Sequence, residues 1–429
     1  MWQIITICIF DDKTTMKKLL IKNIGTLAGI LPADVRLLRG KEMEHLGCLN
    51  NAWMLVDNGR ISDFGDMPAP DLESVSVVDA NGGTLMPSFC DSHTHIVYAG
   101  SREGEFVDKI RGLSYAEIAR RGGGILNSAD RLHELSEDEL FEQAIIRVNE
   151  IVRKGTGAVE IKSGYGLNTD DEIKMLRVIR RIKETSPLKV MSTFLGAHAV
   201  GRAYAGRQKD YVDLVVNEMI PEVGRQGLAD FIDVFCDEGF FTPEETARIL
   251  KAGMKYGMRP KIHAQELADS GGVEVAVANN ALSVDHLESM TDEDIEMLRS
   301  SETMPTALPG TSFFLNMPFA PARKMISAGL PVAIASDYNP GSTPSGDMKF
   351  AVSLACIKMR LQPEEAINAA TINGAAAMGL SDRYGSIAKG MVANFFITEP
   401  IPSVAFMPYA YTTPVINRVF LAGKEVKNV

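Results

Sequence analysis

The sequence predicts an α/β protein in which a (β/α)8 TIM-like barrel is joined to a small β-sandwich domain built from both termini. Three observations favour this architecture. Eight apolar, β-branched runs alternate with helical patterns through the middle of the chain, both ends are rich in short strands, and most histidines fall at or near the carboxyl ends of predicted strands. The alternative is a doubly wound open sheet, which usually has fewer strands and a glycine-rich first turn that is absent here.

Composition and charge exclude several classes of protein. The 429 residues include 44 Lys and Arg against 55 Asp and Glu, for a formal net charge of −11, so nucleic acid is not expected as a partner. The five cysteines are scattered without a CxxC pair, which argues against a disulfide framework and is typical of a reducing compartment. No stretch is long and apolar enough to cross a membrane. We therefore expect a cytoplasmic protein that acts on a small molecule.

The terminal segments predict the small β domain. Residues 1–16 are expected to be an extension with little order, because the methionine that ends them would serve equally well as a first residue. Short strands joined by turns follow, with Asn58-Gly59 as a hairpin signal, and similar strands end the chain. The domain is therefore expected to comprise 17–82 and 385–429.

The barrel is expected to span 83–384. Its strands are predicted, in order, at 83–95, 158–164, 190–198, 231–236, 260–266, 282–287, 303–309 and 331–337. The helix predicted at 242–257 begins with Thr242 as N-cap, followed by a proline. The connection 96–157 is unusually long, and its glycine-rich part at 119–126 is interpreted either as ordinary turns or as a mobile lid over the site.

Histidines at the ends of these strands predict a metal site. A lone histidine there is more often structural, but the joint placement of several at the end of a barrel where active sites form favours a metal. His93 and His95 lie on the same face of the first strand, one residue apart. The expected ligands of one Zn²⁺, Fe²⁺ or Fe³⁺ ion are His93, His95, His263 and Asp337. Such an ion would lower the pKa of a bound water to near 7.

Acid–base groups are predicted beside this metal. Glu266 follows His263 by three residues and could hold the substrate or move a proton, while His286 is placed as a second acid–base or orienting group. The choice of general base among Glu266, His286 and Asp337 stays open. Asp285 and Glu288 are interpreted as solvated acids.

Six motifs in order carry a resemblance to a known family. They are THIVYAGSRE (94–103), IKSGYGL (161–167), FLGAHAV (194–200), KIHAQE (261–266), DHLE (285–288) and SDYNPGS (336–342). Across residues 17–426 the sequence resembles the amidohydrolase superfamily and, within it, the imidazolonepropionases. The resemblance implies histidine degradation by hydrolysis of 4-imidazolone-5-propanoate to N-formimidoyl-L-glutamate, with metal-bound hydroxide attacking the ring carbonyl, in a homodimer.

The resemblance also implies roles for individual residues. Residues that match substrate-binding positions are Arg102, Tyr115, Tyr165, His198, Glu266, Asn339, Gly341 and Ser342, and those that match catalytic positions are Glu266, His286 and Asp337. Arg102 is expected to bind the propanoate, because its planar guanidinium can pair with both carboxylate oxygens. Many relatives bridge two metals with a lysine on the fourth strand, whereas here Lys162 lies on the second strand, so a single metal is expected.

Two other functions compete with this one. An aminohydrolase of the cytosine or guanine deaminase type would share the histidine and aspartate arrangement, but a neutral nucleobase would not need Arg102. A barrel used only for binding or assembly would be favoured by loss of a ligand, yet all four expected ligands are present. Release of ammonia would identify a deaminase, since ring opening to formimidoylglutamate releases none.

Overall fold

The computed structural model describes residues 18–113, 117 and 123–427, so the predicted extension 1–16 and Tyr115 lie outside the described residues. The strands within the described part are β1 Leu19–Ile30, β2 Gly47–Asp57, β3 Arg60–Asp66, β4 Ser76–Asp79, β5 Thr84–Pro87, β6 Phe89–Asp91, β7 Thr156–Lys162, β8 Lys189–Ala197, β9 Phe231–Cys236, β10 Arg259–Ala264, β11 Ser283–His286, β12 Met304–Ala307, β13 Ala333–Ile334, β14 Phe395–Thr398, β15 Ile416–Leu421 and β16 Lys424–Glu425.

The helices within the same residues are α1 Glu103–Ile110, α2 Ile125–His133, α3 Glu137–Arg153, α4 Thr169–Thr185, α5 Gln208–Leu214, α6 Ile220–Gln226, α7 Pro243–Met254, α8 Gly272–Ala278, α9 Asp292–Arg299, α10 Pro309–Leu315, α11 Ala322–Ser327, α12 Met348–Met359, α13 Pro363–Ala370, α14 Ile372–Ala376 and α15 Phe406–Tyr409. A π-helical turn, Val215–Met219, joins α5 to α6, and short 3₁₀ helices lie at Gly40–Glu44 and Arg202–Tyr204. Over this part of the chain, no helix is both long and apolar enough to span a bilayer.

The strands β6 to β13 form a parallel sheet in sequential order, which confirms the predicted barrel. Hydrogen bonds just beyond the first and last strands bring its two edges together, from His95 N to Tyr338 O at 2.9 Å and from Asp337 N to His93 O at 3.0 Å. The carboxyl ends of the first and eighth strands are therefore neighbours. This closure places the HTH motif beside Asp337.

The first predicted strand is divided between two sheets. Its first half, β5, pairs with β1 and β14, and only the second half, β6, joins the barrel. The chain changes sheet at Ser88, whose N–H donates to Asn394 O, whereas the next residue, Phe89, donates to Gly155 O. The prediction of one continuous strand at 83–95 is therefore wrong. The apolar sequence continues through Ser88, where the chain passes from one sheet to the other, so the sequence gives no sign of the change.

The second sheet combines strands from both ends of the described chain, as predicted. Its order is β16-β15-β14-β5-β1-β2-β3, with β4 paired to β1. The hairpin between β2 and β3 turns at Asn58 and Gly59, whose φ values of 49° and 74° suit the tight turn that the Asn-Gly signal predicts. The boundaries between the two domains remain a proposal.

The long connection after the first barrel strand contains helices α1, α2 and α3 rather than extended loop. Ser136 and Glu139 form a capping box at the start of α3, and Leu140, Ala144 and Val148 recur on one buried face. Sequence reasoning missed these helices by treating the connection as one loop. The N-cap predicted at Thr242 is confirmed, since its side chain accepts a hydrogen bond from Glu245 N.

Candidate active site

Four polar side chains converge at the carboxyl ends of the barrel strands. Nε2 of His95 lies 3.3 Å from Nε2 of His93 and 3.4 Å from Nε2 of His263. Oδ1 of Asp337 lies 3.6 Å from Nε2 of both His93 and His95. All four residues are buried. The structure thus brings together the four residues predicted as metal ligands.

Carboxylates orient two of these imidazoles from behind. Nδ1 of His93 lies 2.7 Å from Oδ2 of Asp285, and Nδ1 of His263 lies 3.0 Å from Oδ2 of Asp233. Each carboxylate favours the tautomer with its proton on Nδ1, which leaves a lone pair on Nε2. Burial, with nearby positive charge, keeps the pKa of His93 and His95 well below the usual range. The rings of His93 and His95 are therefore neutral, as metal binding requires.

The donor set fits a metal cation. Nε2 of His93 and Nε2 of His263 present lone pairs toward His95, and a cation could be bound between these nitrogens. Three imidazoles and one carboxylate are suitable ligands for Zn²⁺ or for iron. The chemistry of these four side chains, without reference to any related protein, therefore fits a single metal centre.

His286 offers a competing ligand, since its ring nitrogen and those of His93 and His263 also lie within 4.8 Å of one another. However, its Nε2 lies 3.6 Å from Glu266 Oε2 and its Nδ1 lies 3.6 Å from Glu288 Oε2. Burial opposes protonation, but these two carboxylates outweigh it and raise the pKa of His286 to about 10. Both ring nitrogens of His286 thus face carboxylates, which favours a role in orientation or proton transfer over that of a metal ligand.

Asp337 is oriented by hydroxyl groups. Thr311 Oγ1 donates to its Oδ2 at 2.5 Å, and Ser342 Oγ donates to the same oxygen at 3.1 Å. These bonds leave Oδ1 facing the histidines. The φ angle of Asp337, 54°, is in the left-handed region, so the backbone turns away from the strand direction at this residue. Sequence reasoning missed Thr311, whose only signal is its place at the start of a helix that follows a barrel strand.

A cavity of about 540 Å³ opens over this cluster. Every predicted substrate residue within the described chain lines it, namely Arg102, Tyr165, His198, Glu266, Asn339, Gly341 and Ser342. The catalytic candidates His286 and Asp337 also line it, whereas His93 lies deeper. Its apolar wall includes Phe106, Ile125 and Phe314. A small, partly apolar molecule would therefore fit above the metal ligands.

Arg102 is held in place before any ligand binds. Its Nε and Nη2 donate to Glu105 Oε2 at 2.9 and 2.7 Å, while Glu105 Oε1 accepts from Gly124 N and Asn127 Nδ2. The other face of the guanidinium packs against Gly341, where a Cβ atom would overlap it. A side chain at 341 would therefore displace the guanidinium from its present position. Glu105 was not predicted, although an acid three residues after an arginine on a helix is a recognisable pair.

His198 lies beside the metal ligands as a neutral ring. Its Nδ1 donates to Gly164 O at 3.0 Å, which leaves Nε2 as an acceptor, and its ring stacks on His95 with centroids 5.2 Å apart. Burial is the main cause that lowers the pKa of His198 to about 3. Tyr165 is buried in the same wall, 6.0 Å from the His95 ring. The backbone around it is held by Glu172, which accepts from three N–H groups of the loop.

The polar side chains of the loop after the eighth strand bond largely to one another. Asn339 Nδ2 donates to Asp337 O at 2.8 Å, and its Oδ1 accepts from Gly341 N and Ser342 N. These contacts fix the loop that packs against Arg102. Asn339 therefore shapes the cavity wall whether or not it touches a substrate.

Asp285 and Glu288 correct the sequence interpretation, because neither is solvated. Asp285 is fully buried and Glu288 is 7% exposed. Asp285 accepts from Ser283 Oγ at 2.6 Å as well as contacting His93. Alternate residues of β11 point into the barrel, and that alternation was the signal available for Asp285.

A buried ionic cluster lies beneath the metal ligands and comprises Glu160, Lys162, Asp233, Lys261 and Asp285, none of which is more than 1% exposed. Lys162 Nζ donates to Glu160 at 2.5 Å and to Asp233 at 2.8 Å, and lies 3.7 Å from Asp285. Lys261 pairs with Glu160 and lies 3.9 Å from Asp285. Both carboxylates that orient histidines are thus held by lysines.

Glu266 presents a carboxyl group to the cavity. Burial is the main cause that raises its pKa to about 7, against the opposing charge of His286. A group with this pKa exchanges a proton readily near neutrality. Its position in the cavity wall and its proximity to His286 make it the candidate for proton transfer.

Sequence comparisons connect this site to known enzymes. A model of the amidohydrolase family matches residues 84–426. The imidazolonepropionase of Christiangramia forsetii is 54% identical over 409 residues, which cover 95% of this chain and 100% of the relative. That of Flavobacterium johnsoniae is 52% identical over 408 residues, with 95% and 99% covered. That of Geobacillus kaustophilus is 40% identical over 419 residues, with 96% and 99% covered.

Solved structures share the fold at low sequence identity. A triazine hydrolase variant superposes with a TM-score of 0.73 at 17% identity, covering 95% of this chain and 94% of that one. An adenosine deaminase from Xanthomonas campestris with bound zinc gives a TM-score of 0.66 at 18% identity, covering 95% and 92%. A guanine deaminase from C. acetobutylicum gives 0.69 at 16%, covering 96% and 100%. At these identities the similarity shows the fold alone.

Proposed function

Because the chain belongs to the amidohydrolase family and, by its relatives, to the imidazolonepropionases, we propose that it hydrolyses 4-imidazolone-5-propanoate to N-formimidoyl-L-glutamate. The reaction consumes one water and breaks the bond between the ring carbonyl carbon and the adjacent ring nitrogen. The carbonyl carbon becomes a carboxylate, and the nitrogen stays in the formimidoyl group. The observation that carries the proposal is that a buried arginine and the nitrogen-rich donor cluster line one cavity.

We propose that His93, His95, His263 and Asp337 hold a single Zn²⁺ or iron ion. The family implies a metal cofactor, and the identity of the metal belongs to the proposal. When bound, the ion would supply a water of lowered pKa and polarise the ring carbonyl. The orientation of the ligands by Asp233, Asp285 and Thr311 supports this assignment.

Among the three candidates for the general base, the contacts favour Glu266. Oδ2 of Asp337 is already bonded to Thr311 and Ser342, and His286 carries a proton with a pKa near 10. Glu266 is the candidate whose pKa lies near 7, so it can accept the proton of the attacking water. His286, as a cation beside it, can then stabilise negative charge or protonate the departing ring nitrogen.

Substrate orientation is assigned to Arg102, His198 and Tyr165, which line the same cavity. Arg102 would bind the propanoate, since its guanidinium is buried and fixed by Glu105. His198 Nε2 is an acceptor that could receive a ring N–H, because Nδ1 is bonded to Gly164 O. Tyr165 would pack against the ring. We propose that this arrangement directs the carbonyl end of the substrate toward the candidate metal ligands.

The deaminase alternative is not favoured. The relatives with 52–54% identity over almost the whole chain are imidazolonepropionases, whereas the deaminase structures are similar at 16–18% identity. The test is turnover of freshly made imidazolone propanoate by the metal-loaded enzyme, with the product followed by NMR and ammonia by a coupled assay. Formimidoylglutamate without ammonia is expected. Ammonia in proportion to substrate consumed would contradict the proposal.

The homodimer and the cytoplasmic location stay predictions. Light scattering after size-exclusion chromatography would test the dimer, and fractionation of the source cells would test the location. A monomer at micromolar concentration would remove the dimer from the proposal.

A further inference from the structure

A second cation lines the cavity, on the helix that directly follows the predicted carboxylate-binding arginine. Lys109 lies on α1, seven residues after Arg102, and both side chains line the cavity. Lys109 Nζ donates to Gly341 O at 3.0 Å and lies 5.4 Å from the centroid of the Phe314 ring. Since Arg102 packs against Gly341 as well, the two cations meet at one glycine.

The charge of Arg102 is largely neutralised within the protein. Glu105 accepts two hydrogen bonds from the guanidinium, so the pair contributes little net positive charge to this end of the cavity. Lys109 differs, because within the described residues no carboxylate oxygen lies within 4.0 Å of its Nζ. Burial, aided by the charge of Arg102 and opposed by that of Glu105, lowers the pKa of Lys109. An anion bound at this place would relieve that unfavourable environment.

We propose that Lys109 binds the propanoate carboxylate of the substrate together with Arg102 and supplies a cation that, within the described residues, forms no ion pair with a carboxylate. This inference rests on the proposed function. Arg102 would fix the direction of the carboxylate through its planar donors, whereas Lys109 would balance its charge. The pair would select a substrate with an anionic tail over a neutral ring compound, in a protein whose net charge of −11 opposes anion binding.

The test compares an anionic substrate with its neutral counterpart. Steady-state kinetics are measured for 4-imidazolone-5-propanoate and for its primary amide, with wild type, Lys109→Met and Lys109→Gln. For the acid, KM should rise about 10- to 100-fold in both variants, the size of a lost charged hydrogen bond, while kcat stays within about twofold. For the amide, KM should be similar in all three enzymes. Lys109→Arg should recover most of the affinity for the acid.

Arg111→Met is the matched control. This substitution removes a positive charge two residues after Lys109 in the sequence, from a side chain that is 69% exposed. KM for the acid should therefore not change. Metal content and thermal denaturation are measured for every variant. The glutamine in Lys109→Gln can still donate a hydrogen bond to Gly341 O. This variant therefore allows acid and amide to be compared even if Lys109→Met fails to fold.

Two results would overturn the inference. One is a wild-type KM for the acid in Lys109→Gln. The other is an equal loss for acid and amide, since Lys109 would then act only by holding the loop at Gly341. Failure of the wild-type enzyme to hydrolyse the acid would instead contradict the proposed function, so the two failures are distinguishable.

Discussion

Nδ1 of His93 lies 2.7 Å from Oδ2 of Asp285, and neither side chain is exposed to solvent. Asp285 also accepts from Ser283, and Lys162 and Lys261 lie within 4 Å of it. The carboxylate is therefore held by cations on one side while it orients the imidazole on the other. The position of the proton on His93, and so its capacity to bind a metal, depends on this pair.

Asp285→Asn should weaken metal binding without abolishing it. The amide can still accept from Nδ1 but carries no charge, and loss of such an orienting partner typically costs about 10- to 100-fold in metal affinity. Competition with a chelator, followed by metal analysis, measures the change. Asp292→Asn is the control, because Asp292 is exposed and pairs with Lys324. Equal affinity in wild type and Asp285→Asn would show that the pair does not tune the ligand.

His263→Ala should lose both metal and nearly all activity. Three ligands hold the cation poorly, and the substitution also separates Asp233 from the site. Elemental analysis and turnover are measured on the same preparation. His133→Ala serves as a control, since His133 is exposed and contacts Asp171 instead. Stoichiometric metal with normal turnover in His263→Ala would remove His263 from the ligand set.

Glu266→Gln should retain metal while kcat falls about 10²- to 10⁴-fold, the range for a lost acid–base group. In wild type, kcat/KM should rise with pH as Glu266 ionises. Burial raises its pKa to about 7, and a bound cation would stabilise the carboxylate, so this rise should lie at or below pH 7. The variant should lack it. Metal loss in parallel with activity would instead place Glu266 among the ligands.

Arg102→Met should raise KM and cost about 2–4 kcal/mol in kcat/KM, because the propanoate would lose a partner in a partly desolvated cavity. Arg102→Lys keeps the charge but not the two-pronged geometry, so its kcat/KM should be intermediate. Metal content should not change in either variant. A wild-type kcat/KM in Arg102→Met would mean that another group holds the propanoate.

The barrel and the four candidate ligands could be predicted because they depend on local pattern. A parallel strand leaves a recognisable apolar run, and its carboxyl end lies at a common rim, so His93, His263 and Asp337 could be placed together without coordinates. The strand at 83–95 shows the limit of this reasoning. Apolar sequence continues through Ser88, and only pairing with distant strands reveals that the chain changes sheet there.

The residues that orient the site were harder to predict, because their roles depend on three-dimensional contacts. Three such residues are Asp285 on a strand, Thr311 near the start of a helix and Glu105 on a helix. Side chains of these types at such positions are usually exposed to solvent or cap a helix. Their function depends on which distant partner the fold brings to them, 192 residues apart for Asp285 and His93. Alternation along β11 could have placed Asp285 inside the barrel, but not against a particular histidine.

The ionic cluster beneath the candidate ligands has a consequence for the binding of a cation above it. Two lysines there face three carboxylates in a region closed to water, and Asp337 adds a fourth carboxylate at the wall of the cavity above them, which leaves two formal negative charges. Uncompensated charge in such a region is strongly unfavourable. A divalent ion beside neutral imidazoles would make this part of the interior electroneutral. Loss of the ion would leave these carboxylates uncompensated, so the charge of the cluster itself favours a bound cation.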